Sequence, residues 1–488
     1  MNCESSFRKR NALVVLCACY FLLGAQAQSR NANWLALGTW IAFGSGEATL
    51  DPNPPLTNAG AALSDTSGQL KVYVGTNGSQ NGLRGPDHTL ADNHPDPSLL
   101  NGAGELHRTL FVPKPGEPVH AFLVYNQTYF LASVEFNRVG WLEMDLSEDH
   151  PAVVSADFTW FANDQARKRS AVPHANGTDY WMIMQSMGIN LFNAYRINGN
   201  GVDPVPVMSQ TGAWPPDGWV FGKMIPNSQG DRFASVTEPA NYDWSDTTSA
   251  IAEIFQFNQA TGEVTFELAL PGLRRVNGIE FSPNGRFLYV AEKHTPVGAN
   301  QPYSRRLYQY DLESSDPVAS RLLIHSHSFS TANLTVLNVL ALAPDGRIYQ
   351  APDLNGTALG IIRRPNELGA ACDYVHEDLE CQALIYSVPA PVKRYHDDTL
   401  AVVNGVSQLE APHALPVAPN PAHDHIRLMH ASVNARAFAL RDAAGRAVLV
   451  GPLLQGAIDL RGLASGSYVV EVFDAQGARM GVARVIKD

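Results

Sequence analysis

Cysteine is almost missing from the body of this chain. Three of the five cysteines fall within the first 27 residues, which leaves only Cys372 and Cys381. No Cys-x-x-Cys spacing or paired histidine accompanies these two, so they do not read as a metal site. Charge is also sparse, with 17% charged against 45% hydrophobic residues. That balance excludes a disordered or fibrous chain. Beyond the N-terminus no apolar run is long enough to span a bilayer. Gly-x-Ser-x-Gly elbows, P-loops, His-Glu-x-x-His pairs and dinucleotide fingerprints are all absent, which weakens hydrolase and nucleotide readings.

What is present begins with an export signal. Arg8-Lys9-Arg10 precedes an apolar stretch from Ala12 to Gly24, and Ala25-Gln26-Ala27 follows. A basic segment, a short apolar segment and a small-x-small site predict cleavage after Ala27. The rival lipobox reading, Leu16-Cys17-Ala18-Cys19, leaves an apolar segment of only about six residues, short of the usual ~7 to 15. In an oxidising compartment, Cys372 and Cys381 are then expected to form a local disulfide.

Charge divides the exported chain. Without residues 1–27 there are 32 basic and 46 acidic residues, and residues 415–488 hold eight basic and six acidic ones. The tail is therefore +2 and residues 28–414 are −16. A body this acidic argues against nucleic acid or anionic lipid as its partner. The expected organisation is a signal at 1–27, a body at 28–400, a linker at 401–415 and a small β-unit at 416–488.

The body repeats. Phe281-Ser-Pro-Asn-Gly285-Arg-Phe-Leu-Tyr-Val290 and Leu342-Ala-Pro-Asp-Gly346-Arg-Ile-Tyr349 are each a strand, a Pro-Asx-Gly turn and a second strand. Degenerate copies place glycines at 68, 116, 177 and 230, so the steps run from 48 to 61 residues. Proline presets φ and glycine accepts the positive φ of a tight hairpin. A second strand pair follows most hairpins, and four strands per ~50 residues is the arithmetic of a propeller blade. The fold class is thus all-β, with seven blades favoured and six possible. In the seven-blade form, Trp34 to Leu50 pairs with Val388 to Val403 to close a composite blade. An array of β-sandwiches is the alternative.

The tail carries Pro419-Asn420-Pro421-Ala422, then Ala439-Leu-Arg-Asp442-Ala-Ala-Gly445-Arg446, then Leu463-Ala-Ser-Gly466-Ser-Tyr468 and a terminal Arg484-Val-Ile-Lys487. In order and position these pieces resemble the type A C-terminal sorting domain of the Bacteroidetes type IX secretion system. The resemblance implies an Ig-like sandwich, export through the outer-membrane translocon and its sorting machinery, and removal of the tag. The mature protein would then be secreted or held at the outer cell surface, with attachment to surface lipopolysaccharide as one outcome. Val112 to Gly116, His174 to Trp181, Pro344 to Tyr349 and Pro365 to Cys372 resemble a type of secreted Bacteroidetes propeller that brings no established reaction.

Candidate sites each have a plainer alternative. Arg275-Val-Asn277-Gly-Ile-Glu-Phe-Ser-Pro283 looks like the Asn-Gly strand of calcium-dependent gluconolactonase-type propellers, and Asn338 stands at the same offset in the next repeat. With Glu238, Glu292 and Asp353 these oxygens suit Ca²⁺, which could polarise an ester carbonyl. The plainer alternative is strand-end caps and solvated acids, with no cofactor. Trp214, Trp219 and Trp244 lie on loops, where they could stack on sugars or simply pack between blades. His325 and His327 share one strand face, but the sequence shows no third ligand beside them. The leading expectation is a non-enzymatic propeller binding a glycan or a protein; the other is a calcium-dependent lactonase-like hydrolase.

Overall fold

The computed structural model describes residues 30–36, 39–43, 48–51, 58–77, 80–95, 100, 109–131, 134–155, 157–215, 221–238, 250–294, 303–329, 340–352, 357–381, 392–393, 395–396, 417–428, 436–442, 447–453, 457–473 and 479–488. The predicted cleavage site at Ala27 lies outside them. Contacts divide the chain into two compact units, Met1–Gly405 and Val406–Asp488. No described helix is long and apolar enough to cross a membrane.

Seven antiparallel sheets follow one another through the first unit. Blade 1 holds the strands Asn33–Ala36, Thr39–Ala42 and Thr49–Asp51, and blade 2 holds Asn58–Ser64, Leu70–Asn77 and Gln80–Arg84. Blade 3 runs from Thr109 to Asn163 and blade 4 from Gln165 to Gln210. Blade 5 has Phe221–Pro226, Arg232–Glu238, Ile251–Phe257 and Val264–Ala269. Blade 6 has Val276–Phe281, Phe287–His294, Tyr303–Asp311 and Leu322–Phe329. Blade 7 has Leu340–Leu342, Ile348–Gln350, Ala358–Ile362 and Tyr374–Glu380. Each sheet packs on the next, mostly through its first strand. This is a seven-bladed β-propeller, a radial arrangement that leaves only short edges.

The turn chemistry works as the sequence implies. Gly68, Gly116, Gly177, Gly230, Gly285 and Gly346 all have positive φ, between 75° and 86°. In blade 6 the Gly285 amide donates to the Ser282 carbonyl at 2.9 Å, and the Ser282 amide donates to Phe287 at 2.8 Å. Only glycine adopts this left-handed conformation without steric cost.

The composite blade expected above would draw its second half from 388–403. Blade 1 is built from N-terminal strands among the described residues, and most of 388–403 lies outside them. Trp34 and Phe43 close the ring by packing edge-on against Tyr349 of blade 7, at 5.8 and 5.5 Å between centroids. Thr39 Oγ1 also donates to the Cys381 carbonyl at 3.4 Å.

The expected disulfide is corrected here. Cys372 and Cys381 are both buried and free. The Cys372 carbonyl accepts from Arg364, whereas the Cys381 amide donates to Thr357. Those partners stand seven residues apart along the chain, roughly 20 Å in an extended strand. A disulfide needs Cα atoms about 4.4–6.8 Å apart. Spacing in sequence had hidden the strand between the two thiols. Burial pushes both thiols up, Cys381 to about 12, so neither is a reactive thiolate.

The second unit is a two-sheet sandwich. Val417–Ala418, His425–Leu428 and Ala457–Asp459 form one sheet. Ala437–Arg441, Ala447–Pro452, Gly466–Phe473 and Arg479–Lys487 form the other. Ile426, Leu440, Ile458, Val470, Val472 and Val485 fill the core between them, the expected result of period-2 strands with one apolar face.

Candidate functional site

Buried charges cluster on the first strands of the blades, which face the ring axis in a propeller. Glu280, on the first strand of blade 6, accepts from the Leu342 amide of blade 7 at 2.9 Å. It also pairs with Lys393 at 2.5 Å, and neither side chain is more than 3% exposed. Lys393 belongs to a strap that continues past blade 7. Val392 accepts from the Asn31 side chain, Tyr395 Oη approaches the Phe111 carbonyl at 3.4 Å, and the His396 amide donates to Tyr180 Oη at 3.1 Å. The strap thereby touches Asn31, just before blade 1, and blades 3, 4 and 6. Two further lysines bridge blades. Lys168 donates to Ser235 Oγ at 2.8 Å, to the Val236 carbonyl at 3.1 Å and to Thr237 Oγ1. Lys223 reaches the Leu340 carbonyl. Burial drives both ammonium groups down to about 7, with Glu253 pulling Lys168 up and Glu280 pulling Lys223 up. These groups bind blade to blade.

Of the five proposed calcium ligands, only Glu292 has a side chain among the described residues. Asn338 and Asp353 lie outside them, as do the side chains of Asn277 and Glu238. The backbone makes Asn277 the extra residue of a β-bulge, since Val276 pairs with Glu292 and Gly278 with Ala291. Glu292 is 2% exposed and already shared among protein donors. The Arg274 amide donates to it at 3.0 Å, Tyr308 Oη at 3.2 Å, and Arg321 lies 3.8 Å away. Its carboxylate is a structural anchor for blade 6. Trp214 stands exposed, while Trp219 and Trp244 lie outside the described residues.

A groove of about 680 Å³ opens instead between blades 5 and 6. Its rim is made by the turns that the repeat dictates. Asn227, Gln229 and Asp231 come from the first hairpin of blade 5, and Asn284 and Gly285 from that of blade 6. Gln256, Asn258, Glu263 and Thr265 come from the outer strands of blade 5 and their connecting turn. The turn asparagines are held rigidly. Asn227 Oδ1 accepts from the Gly230 amide at 2.8 Å, Asn258 Oδ1 from Ala260 at 3.0 Å, and Asn284 Oδ1 from Arg286 at 3.1 Å. Gln256, Thr265 and Glu313 are exposed along the wall. Among the described residues that line the groove, the one cation, Arg232, is neutralised by Glu267 at 2.9 Å. Asp231, Glu263 and Glu313 leave the groove acidic. Planar amides and carboxylates on a fixed frame suit a neutral ligand rich in hydroxyl groups and repel an anionic one. The volume lies within the usual ~300–1,000 Å³ of ligand sites. Sequence reading took these Asx-Gly segments as turns only, because nothing local shows that turns of successive blades line one cleft.

In the second unit the tail motifs meet. Asn420 acts as a surrogate strand residue: its Nδ2 donates to the Arg484 carbonyl at 2.8 Å, and its Oδ1 accepts from the Ile486 amide at 2.8 Å. Pro419 and Pro421, on either side, both follow cis peptide bonds. Ala422 pairs in parallel with Lys487. Tyr468 is buried, and its hydroxyl donates to Ala464 at 2.8 Å. Gly466 opens the strand that carries Tyr468. Asp442 directly follows the strand Ala437–Arg441, and Gly445 lies outside the described residues.

No family model matches the chain and no curated protein matches it in sequence. Solved structures share the trace at low similarity. A functionally unknown protein from Desulfotomaculum acetoxidans is 11% identical, with 73% of this chain and 96% of that one covered and a TM-score of 0.39. A suggested 6-phosphogluconolactonase from Bacteroides fragilis is 12% identical over 74% and 97%, with a TM-score of 0.38. The β-propeller domain of the Trilobed protease from Pyrococcus furiosus is 9% identical over 76% and 92%, with a TM-score of 0.27. Likeness at this level carries nothing about activity, and the propeller assignment rests on the seven sheets themselves.

Proposed function

We propose that this chain is a secreted binding propeller that holds a neutral glycan in the groove between blades 5 and 6, and that its C-terminal sandwich is a type IX export tag. The observation that supports binding is the rigid, amide-lined and acidic groove, whose described lining residues include no unneutralised cation. Among the described residues of the axial cluster, Lys168, Lys223 and Glu280 are all committed to neighbouring blades. Exposed Gln256 and Thr265 are the groups that hydrogen-bond the ligand, and the turn asparagines keep the wall in place.

A neutral-glycan array should give saturable binding, and Gln256→Ala with Thr265→Ala should weaken it at least 10-fold without lowering the melting temperature. Equal affinity in the double variant places the ligand elsewhere. Binding only to sulfated or phosphorylated glycans contradicts the charge argument.

Support for the tag comes from the motif order and from the pairing of Asn420 with the terminal strand. Removing residues 415–488 in a host that has type IX secretion should leave a folded propeller in the periplasm. Normal release of that truncation sinks the export reading.

A further inference from the structure

We propose that His325, His327 and His376 form a site for a divalent transition cation of the zinc and copper class, between the outer strands of blades 6 and 7. His325 and His327 alternate on Leu322–Phe329, so strand periodicity sets them on one face. The neighbouring blade supplies a third imidazole. His376, on Tyr374–Glu380, has its ring centroid 4.9 Å from that of His325 and 4.9 Å from that of His327. With metal–nitrogen bonds of ~2.0–2.1 Å, two imidazoles on one tetrahedral ion have centroids roughly 5 Å apart. The observed spacings match that value, and rotation about the soft terminal torsion of each side chain can turn the nitrogens onto a common point.

Local structure aims His376. Val375 pairs with Ile361 and Leu379 with Leu359, so His376, Glu377 and Asp378 stand opposite Gly360 alone. Such a bulge redirects a side chain. Glu377 takes a φ of 53° there, an uncommon conformation for a residue with a side chain. Asp378 is pinned to Arg363 at 2.6 and 2.9 Å. Gly360 makes room as well: a Cβ at that position would lie 2.8 Å from Tyr374 Oη.

Tyr374 then fixes the tautomer. Its hydroxyl donates to Gln350 Oε1 at 2.6 Å, so its oxygen accepts from Nδ1–H of His376 at 3.1 Å. Neutral His376 therefore presents the lone pair of Nε2 to a metal, the usual arrangement in which an outer partner orients a ligating histidine. Glu377 Oε1 lies 3.8 Å from that Nε2 and is in reach of a fourth position.

A second group, Glu117, His120 and Glu143, has its ligand atoms within 4.8 Å of one another. Lys114 already occupies it, at 2.8 Å from Glu117 and 3.0 Å from Glu143. That lysine supplies the positive charge a metal would bring.

The test is calorimetric titration of chelator-stripped full-length protein with Zn²⁺, Cu²⁺ and Mg²⁺. One site for Zn²⁺ and Cu²⁺ and none for Mg²⁺ is expected. His376→Ala and the pair His325→Ala, His327→Ala should each lower Zn²⁺ affinity at least 10-fold. Tyr374→Phe should lower it about 10-fold or more through lost orientation of the ligand. His120→Ala should leave it unchanged. Electron paramagnetic resonance of the Cu²⁺ form should show three coupled imidazole nitrogens. Unaltered Zn²⁺ binding in His376→Ala, or fewer than three nitrogens on copper, overturns the site. Should His376→Ala fail to fold, Tyr374→Phe and the copper spectrum still decide.

Discussion

Replacing Lys393 by Met should destabilise the propeller by about 3–5 kcal/mol, the range for removing one partner of a buried ion pair. Lys393 and Glu280 are 3% and 1% exposed and sit 2.5 Å apart. Without Lys393 the Glu280 carboxylate is left in a dry interior with the Leu342 amide and its own neighbour Phe281 as donors. Adding Glu280→Gln removes that stranded charge while keeping an oxygen for the Leu342 amide. The double variant should therefore recover most of the lost stability. Urea titrations of the four proteins would give the coupling directly. A cost within about 0.5 kcal/mol for Lys393→Met alone would mean the pair behaves as an exposed one, and the strap would then not hold the ring.

Stability should rise with pH between 7 and about 10, the reverse of the usual loss on the alkaline side. Burial holds the folded-state ammonium groups of Lys168 and Lys223 at about 7, against 10.5 for an ordinary lysine. Across that window the unfolded chain binds protons that the folded chain has released. Unfolding therefore becomes harder as pH rises, by at most about 1.4 kcal/mol per unit for each lysine. Below pH 7 the destabilising contribution of both lysines is fully present. Glu253 has the opposite effect at lower pH. Burial raises its carboxyl, so its contribution is present in acid and is lost as pH rises through the folded-state value. The two effects place a stability minimum near neutrality. Urea midpoints at pH 7 and 9.5 check the lysine half, and Lys168→Met with Lys223→Met should flatten the difference. A midpoint that falls between those values contradicts buried, proton-releasing lysines.

Legibility in the sequence followed locality. The six glycine turns declare themselves within five residues each, because glycine is the residue that a left-handed turn position selects. They carried the propeller, and period-2 strands carried the sandwich. The aromatic contact that joins blades 1 and 7 was not legible, because Trp34, Phe43 and Tyr349 meet across more than 300 residues. The axial cluster was invisible for the same reason: Lys223 reaches Leu340 over 117 residues and Lys393 reaches Glu280 over 113. Nothing near a lysine in sequence announces that it will be buried. The disulfide was expected because nine positions look close, yet an intervening strand stretches them apart. His325 and His327 were visible as a pair, but their third partner belongs to another blade.

The groove is where binding is tested most directly. Hydrogen–deuterium exchange of the full chain, with and without a saturating array-selected glycan, should show slower exchange in three segments: 227–232, 256–265 and 284–286. These are the turns and strand ends that line the cleft between blades 5 and 6. Protection confined to the segments around Trp214, Trp219 and Trp244, with none in those three segments, would contradict the account.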